Sequence, residues 1–176
     1  MNAGETDRFN SIFKRRSLAF LIDVLILFPI GFILSMILSL ILGDPSVGFE
    51  MSIRITVSFS IPVWLYFILS DISENGATIG KRIMKIRIET MDGRRLTIKI
   101  ALIRTAIKLF PWELTHFTFF GLTQEWGVFN SSQIILTIVL YPMMFIYLYF
   151  MFRTKGQQGI QDRIAKTLAK VSDSVN

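Results

Sequence analysis

Apolar residues in this chain gather into long runs separated by short polar segments. From Ser17 to Leu42 the chain is apolar for about 26 residues, interrupted by a single charge, Asp23. At 1.5 Å per residue that is about 39 Å, enough to cross a 30 Å hydrocarbon core with tilt. It is too long for the apolar part of a cleavable leader, so it reads as a retained first helix. Gly43-Asp44-Pro45 stops it. A second run, about 51–70, carries only Arg54, expected to snorkel at the outer end, and Pro62, expected to kink the helix. A third, about 101–122, is apolar but holds Arg104, Lys108, Glu113 and His116. The fourth, about 131–152, has no charge at all.

Between the second and third runs the period changes. Met84, Ile86 and Ile88 alternate with Lys85, Arg87 and Glu89, then Asp92-Gly93 precedes a second alternation at Leu96, Ile98 and Ile100. Asp-Gly between two period-2 runs predicts a β-hairpin over about 84–100. The expected fold is an all-α membrane protein of four transmembrane helices, with a small cytoplasmic hairpin between the second and third. The remaining segments are a basic amino end (1–16) and a short tail (173–176).

Composition agrees with the pattern. The chain of 176 residues is 52% hydrophobic and 18% charged, with a mean hydropathy of +0.52, outside the range of ordinary soluble domains. It has no cysteine and one histidine, so no disulfide, thiolate metal site, zinc hydrolase or relay between two imidazoles is expected, and neither enzyme activity nor a cofactor. Net charge +6 points first to loops held on the cytoplasmic side rather than to nucleic acid. Basic residues concentrate before the first helix, around the hairpin and in the tail, whereas 43–50 and 111–130 have none. The positive-inside rule then places both termini and the hairpin in the cytoplasm, across a cell inner (plasma) membrane. That requires an even number of crossings, so 101–122 becomes the fourth. The competing arrangement has three spans, with 101–122 lying in the interface.

Several short motifs follow one another in order. Arg16-Ser-Leu-Ala19-Phe-Leu-Ile22-Asp23 opens the first helix, and Gly76-x-Thr78-x-Gly80-Lys81-Arg82 precedes the hairpin. Leu102-Ile-Arg104 lies in the third run, and Gln161-Asp162-Arg163-Ile164-Ala165-x-Thr167 in the tail. Together they resemble the RDD family of membrane proteins over about residues 12–172. Arg16, Asp23 and Asp162 take the places of the arginine and two aspartates that name it. Gln161 and Lys166 depart from the His and Gly common there. The resemblance implies a role in transport, some members resembling or forming part of sodium/proton antiporters, while some eukaryotic relatives partner larger assemblies.

Asp23 lies about a third of the way into the bilayer if Arg16 marks the interface, seven residues away on the same face. A carboxylate there is costly unless protonated, hydrated or paired. Two readings stand: ion coupling, with a proton and a monovalent cation exchanging on Asp23, or permanent bonding to Arg104, Lys108 or a polar side chain. Arg16 is either a headgroup anchor or the partner of Asp162, which could instead meet Lys81. The Gly80-Lys81 pair invites a phosphate-loop reading. It fails, because Gly76 is one residue too close and Arg82 stands where Ser or Thr is needed. Lys81 and Arg82 suit anionic headgroups. Glu113 and His116, one turn apart, are either interfacial neighbours or a relay. The expected function is transport or cation/proton exchange, by a homo-oligomer since four helices enclose little. The alternative is a non-transporting adaptor docking a partner through hairpin and tail.

Overall fold

The computed structural model describes residues 3–154 and 156–171, with side chains from Ile12 onward; the short tail at 173–176 lies outside the described residues. Eleven elements follow in order. They are α1 (Ala3–Leu42), α2 (Phe49–Ile55), a π-helical turn (Thr56–Ser60), α3 (Ile61–Ile72), α4 (Ile79–Ile83) and β1 (Ile86–Thr90). Then come α5 (Ile98–His116), a second π-helical turn (Phe117–Gly121), α6 (Ser131–Arg153), α7 (Ile160–Ile164) and β2 (Thr167–Val171). The first helix starts well before Ser17, because nothing between residues 5 and 16 is Gly or Pro to break it.

Among the described residues, three helical stretches are long and apolar enough to cross a membrane: Ile12–Leu42, Phe49–Ile72 and Ser131–Arg153. The 98–121 stretch falls short on that measure because Lys99, Arg104, Lys108 and Glu113 interrupt it.

The hairpin expected over 84–100 does not form. β1 pairs antiparallel with β2 from the tail, Ile88 opposite Ala169, and residues 98–100 open α5. Asp92-Gly93 does turn the chain, and the Thr90 N–H donates to Arg94 O, but pairing ends there. Leu96 still reaches the core of Ile86, Ile88 and Ala169. Ile98 is exposed, and Ala101 N–H donates to Thr97 O, so helix begins where alternation suggested strand. A three-position alternation is too short to separate a strand from a helix start.

The chain divides into two compact units. Of the described residues, unit 1 takes those within 3–25, 65–108 and 146–171; it contains the sheet, both five-residue helices and most of the buried charge. Unit 2 comprises 26–64 and 109–145. There Arg54 is buried rather than snorkelling, donating to Ser39 Oγ and Gly43 O and so capping the end of α1. Gly31 lies against Phe59, where a Cβ would come within 2.4 Å of the ring.

Candidate functional site

Unit 1 builds its polar centre from the ends of its helices. Asp23, 1% exposed on α1, accepts hydrogen bonds from Tyr66 Oη (2.6 Å), Thr78 Oγ1 (2.7 Å) and the Gly80 N–H (2.8 Å). Neither Arg104 nor Lys108 pairs with it. Thr78 also caps α4, its Oγ1 accepting from Lys81 N–H. Gly80 is forced by close approach: a Cβ there would lie 2.1 Å from Ala19 O. The Gly76–Arg82 loop is therefore seated on α1, with Asp23 as the fixed acceptor for its donors.

The second feature is a chain of alternating charges. Lys81 Nζ bonds Asp71 Oδ1 (2.9 Å), and Asp71 Oδ2 accepts from Arg104 Nη1 (2.7 Å). Arg104 Nη2 bonds Asp162 Oδ1 (2.6 Å), and Asp162 Oδ2 accepts from Arg16 Nη2 (2.7 Å). Arg16 Nη1 further donates to Gly156 O and Gln157 O, which ties the turn after α6 to α1. Burial by itself raises the Asp162 carboxyl, but Arg16, Arg104 and the Gly159 N–H hold it well below the usual carboxylate range. Burial pushes the Lys81 ammonium down, with Asp71 opposing it. Arg82 is exposed and turns back to Ala77 O.

Lys108 belongs to the same surroundings but not to the chain. Its ammonium sits 3.2 Å from the centre of the Phe67 ring and, among the described residues, has no carboxylate within ion-pair distance. A cavity of about 270 Å³ is lined by Arg16, Asp23, Asp71, Arg104, Thr105 and Lys108, among others. Among the described residues no cluster of acids or His could hold a metal ion.

The other two expected polar residues lie in unit 2 and do not meet by a hydrogen bond. Glu113 accepts from Ser60 Oγ (2.8 Å) and Trp64 Nε1 (2.9 Å). His116 packs against the Trp112 and Phe120 rings, and its buried Nδ1 has no partner.

Two features of the site go beyond the expectations from sequence. Asp71 lies one residue past the second apolar run, where hydropathy gives no reason to single it out. The larger feature is an internal repeat. Ile79-x-x-Arg82-Ile83-x-Lys85 recurs as Ile160-x-x-Arg163-Ile164-x-Lys166, 81 residues later. In each copy a five-residue helix leads to a lysine with positive φ (55° at Lys85, 52° at Lys166) and then a five-residue strand. The supporting bonds recur too: Ile88 N–H to Gly76 O, and Ala169 N–H to Gln157 O. Since Ile88 faces its own counterpart Ala169 in the sheet, the two copies pair about a local two-fold axis. The preceding helices follow suit. Ala19, Asp23 and Leu27-Phe28-Pro29 of α1 have the same spacing as Ala101, Thr105 and Leu109-Phe110-Pro111 of α5. The positions 19, 23 and 27 and their counterparts 101, 105 and 109 are all buried. Each copy thus has a long helix, a second long helix, a short helix and a strand. Lys81 of the first corresponds to Asp162 of the second, and the alternating chain crosses from one copy to the other at Asp71–Arg104 and Arg16–Asp162.

A profile of the RDD family matches residues 11–166, and the chain belongs to that family. No curated protein and no solved structure matches.

Proposed function

We propose, from the premise of an RDD-family membrane protein, that the chain crosses the plasma membrane four times and moves a small ion. Its ion-handling site is the Lys81–Asp71–Arg104–Asp162–Arg16 chain, with both termini cytoplasmic. One observation carries this reading: a chain of five alternating charges, buried at Asp71, Arg104 and Asp162 and partly buried at Lys81 and Arg16, lies at the junction of two repeats, beside a cavity. Buried ion pairs are poor sources of stability compared with apolar packing, so stability alone does not account for this chain. Transporters built from repeats bind substrate where the repeats meet.

The repeat also supports four crossings. The first copy uses two long helices, and α5 with its π-turn is the counterpart of α1. The 98–121 stretch spans about 36 Å at helical rise. Exposed Ile79, Ile83 and Ile164 beside exposed Arg82, Lys85, Arg163 and Lys166 suit an anionic headgroup layer. Cation/proton exchange on Asp23 would require that carboxylate to release Tyr66, Thr78 and Gly80. The three bonds favour a holding role instead, leaving the charge chain as the place where an ion is handled. A second copy is expected to complete the pathway, and the mass of the solubilised assembly tests that.

The test is flux in vesicles containing the purified chain, under gradients of sodium, potassium, protons and small anions. Flux above protein-free vesicles is expected, reduced at least tenfold by Arg104→Gln in a variant that still folds. A folded wild type that moves none of these ions would overturn transport. It would favour an accessory subunit docking through the exposed basic residues of α4 and α7.

A further inference from the structure

We propose that the cavity of unit 1 binds a small singly charged anion, of the size of a halide, through Lys108, Arg104 and Thr105. The inference rests on the reading of this cluster as an ion-handling site and names the class of ion.

Three donors on one face of α5 point to it. Arg104 commits Nη1 to Asp71 and Nη2 to Asp162, but its buried Nε has no partner. The neighbouring Thr105, 1% exposed, has an unpartnered Oγ1. Helical threonines ordinarily return the hydroxyl to the carbonyl four residues back, as Thr115, Thr118 and Thr137 do here. Thr105 does not. Lys108, one turn beyond Arg104, carries an ammonium without a carboxylate partner among the described residues. All three residues line the same cavity.

Charge and space select the ligand. With Lys108 protonated, as an anion beside it favours, Arg16, Lys81, Arg104 and Lys108 set four positive charges against the three negative ones of Asp23, Asp71 and Asp162, leaving one for the ligand to balance. Both oxygens of each carboxylate already accept from the protein. A cation would find no free ligand there, and a dianion would find too little charge. About 270 Å³ holds a halide with several waters, each needing about 30 Å³.

The repeat explains why the place exists. Thr105 is the counterpart of Asp23 in the Ala-x-x-x-[Asp/Thr]-x-x-x-Leu-Phe-Pro spacing. The first copy supplies its own carboxylate at this position and saturates it. The second copy has a neutral hydroxyl with free donors around it, so a diffusible anion takes the part that Asp23 plays in the first.

The experiment uses the full chain in detergent micelles, with thermal unfolding and radiolabelled chloride binding at constant ionic strength in gluconate. Chloride and bromide are expected to bind saturably, one per chain, and to raise the midpoint, whereas sulfate does neither. Lys108→Met and Thr105→Val should each weaken binding at least tenfold, and Lys99→Met, at an exposed position, should leave it unchanged. Two results overturn the site: no saturable halide binding by folded wild type, or binding that both cavity variants leave intact. Vesicle flux separates the two readings. Halide binding without any ion flux keeps the site and removes transport, whereas ion flux without halide binding keeps transport and removes the site.

Discussion

Asp23 Oδ2 accepts a 2.7 Å hydrogen bond from Thr78 Oγ1 across 55 residues of chain, with both side chains buried. With Tyr66 and the Gly80 N–H on the other oxygen, this makes Asp23 the fastening point of the Gly76–Arg82 loop. Asp23→Ala strands three donors and should cost about 3 kcal/mol or more of stability. Asp23→Asn keeps one acceptor and should cost less, with ion flux retained if the residue only holds the loop. Thermal unfolding and vesicle flux of the two variants check this together; loss of flux in a stably folded Asp23→Asn would return the residue to an ion-coupling role.

Gly80 meets α1 backbone to backbone. A methyl group there would press on Ala19 O at 2.1 Å and on Asp23 Oδ1 at 2.8 Å, and neither is the loose end of a flexible side chain. Gly80→Ala should therefore destabilise by about 3 kcal/mol, through overpacking and displacement of Asp23. Gly93 is the control. Its φ is +78° but nothing lies within 4 Å, so Gly93→Ala should cost only about 1 kcal/mol of backbone strain. Equal costs for the two, measured by denaturation, would mean the Gly80 contact yields.

Arg16 reaches three acceptors at once: Gly156 O, Gln157 O and Asp162 Oδ2. Lysine has the charge but not the fork that spans them. Arg16→Lys should be measurably destabilising, and a double-mutant cycle of Arg16 with Asp162 should give a coupling of about 1.5–3 kcal/mol. Lys81 with Asp162 should couple weakly by comparison, because Lys81 is committed to Asp71. A silent Arg16→Lys would reduce Arg16 to a headgroup anchor.

Much of this was legible because membrane burial restricts polar residues so strongly. The long apolar runs, and Asp23 as a lone acid within one, stand out in the sequence. What stayed hidden has physical causes. The strand at 86–90 shows in its alternation, but its partner starts at Thr167, far along the chain, and an Asp-Gly turn offered a nearer one. Asp71 and Arg104 read as unrelated, since an ion pair 33 residues apart leaves no local pattern. The repeat survives in few identities because the two copies do different things: Lys81 has Asp162 as its counterpart, and Asp23 has Thr105. Ile and Arg of the short helices, the Lys just after each, and Ala and Leu-Phe-Pro of the long ones are among the few positions that keep both copies alike.

Acid should loosen unit 1 through Asp162. Its folded carboxyl titrates below the unfolded value of about 3.9, because Arg16, Arg104 and Gly159 N–H outweigh burial. A depressed folded value means that its contribution is fully present above about pH 4 and is lost as pH falls below that. The unfolding midpoint should drop between about pH 4 and pH 3 in wild type. In Asp162→Asn, already destabilised at neutral pH, the drop should be shallower. Parallel pH curves for the two proteins would remove Asp162 from the acid response.

The last prediction concerns the crossing that composition alone leaves short. If α5 repeats the role of α1, the segment after each must emerge on the same side. Reporters inserted near Asp44 and near Glu125 should both read external. A reporter near Asp92 and one at the carboxyl end should both read cytoplasmic. The three-span arrangement gives the opposite result at the carboxyl end and leaves Glu125 cytoplasmic. It would also break the parallel between the copies, because β1 and β2 pair in one sheet and so must lie on one side of the membrane. A tail on the far side could not reach β1. With α6 crossing, the proposal that 98–121 crosses as well therefore rests on the sheet more than on the hydropathy of that segment.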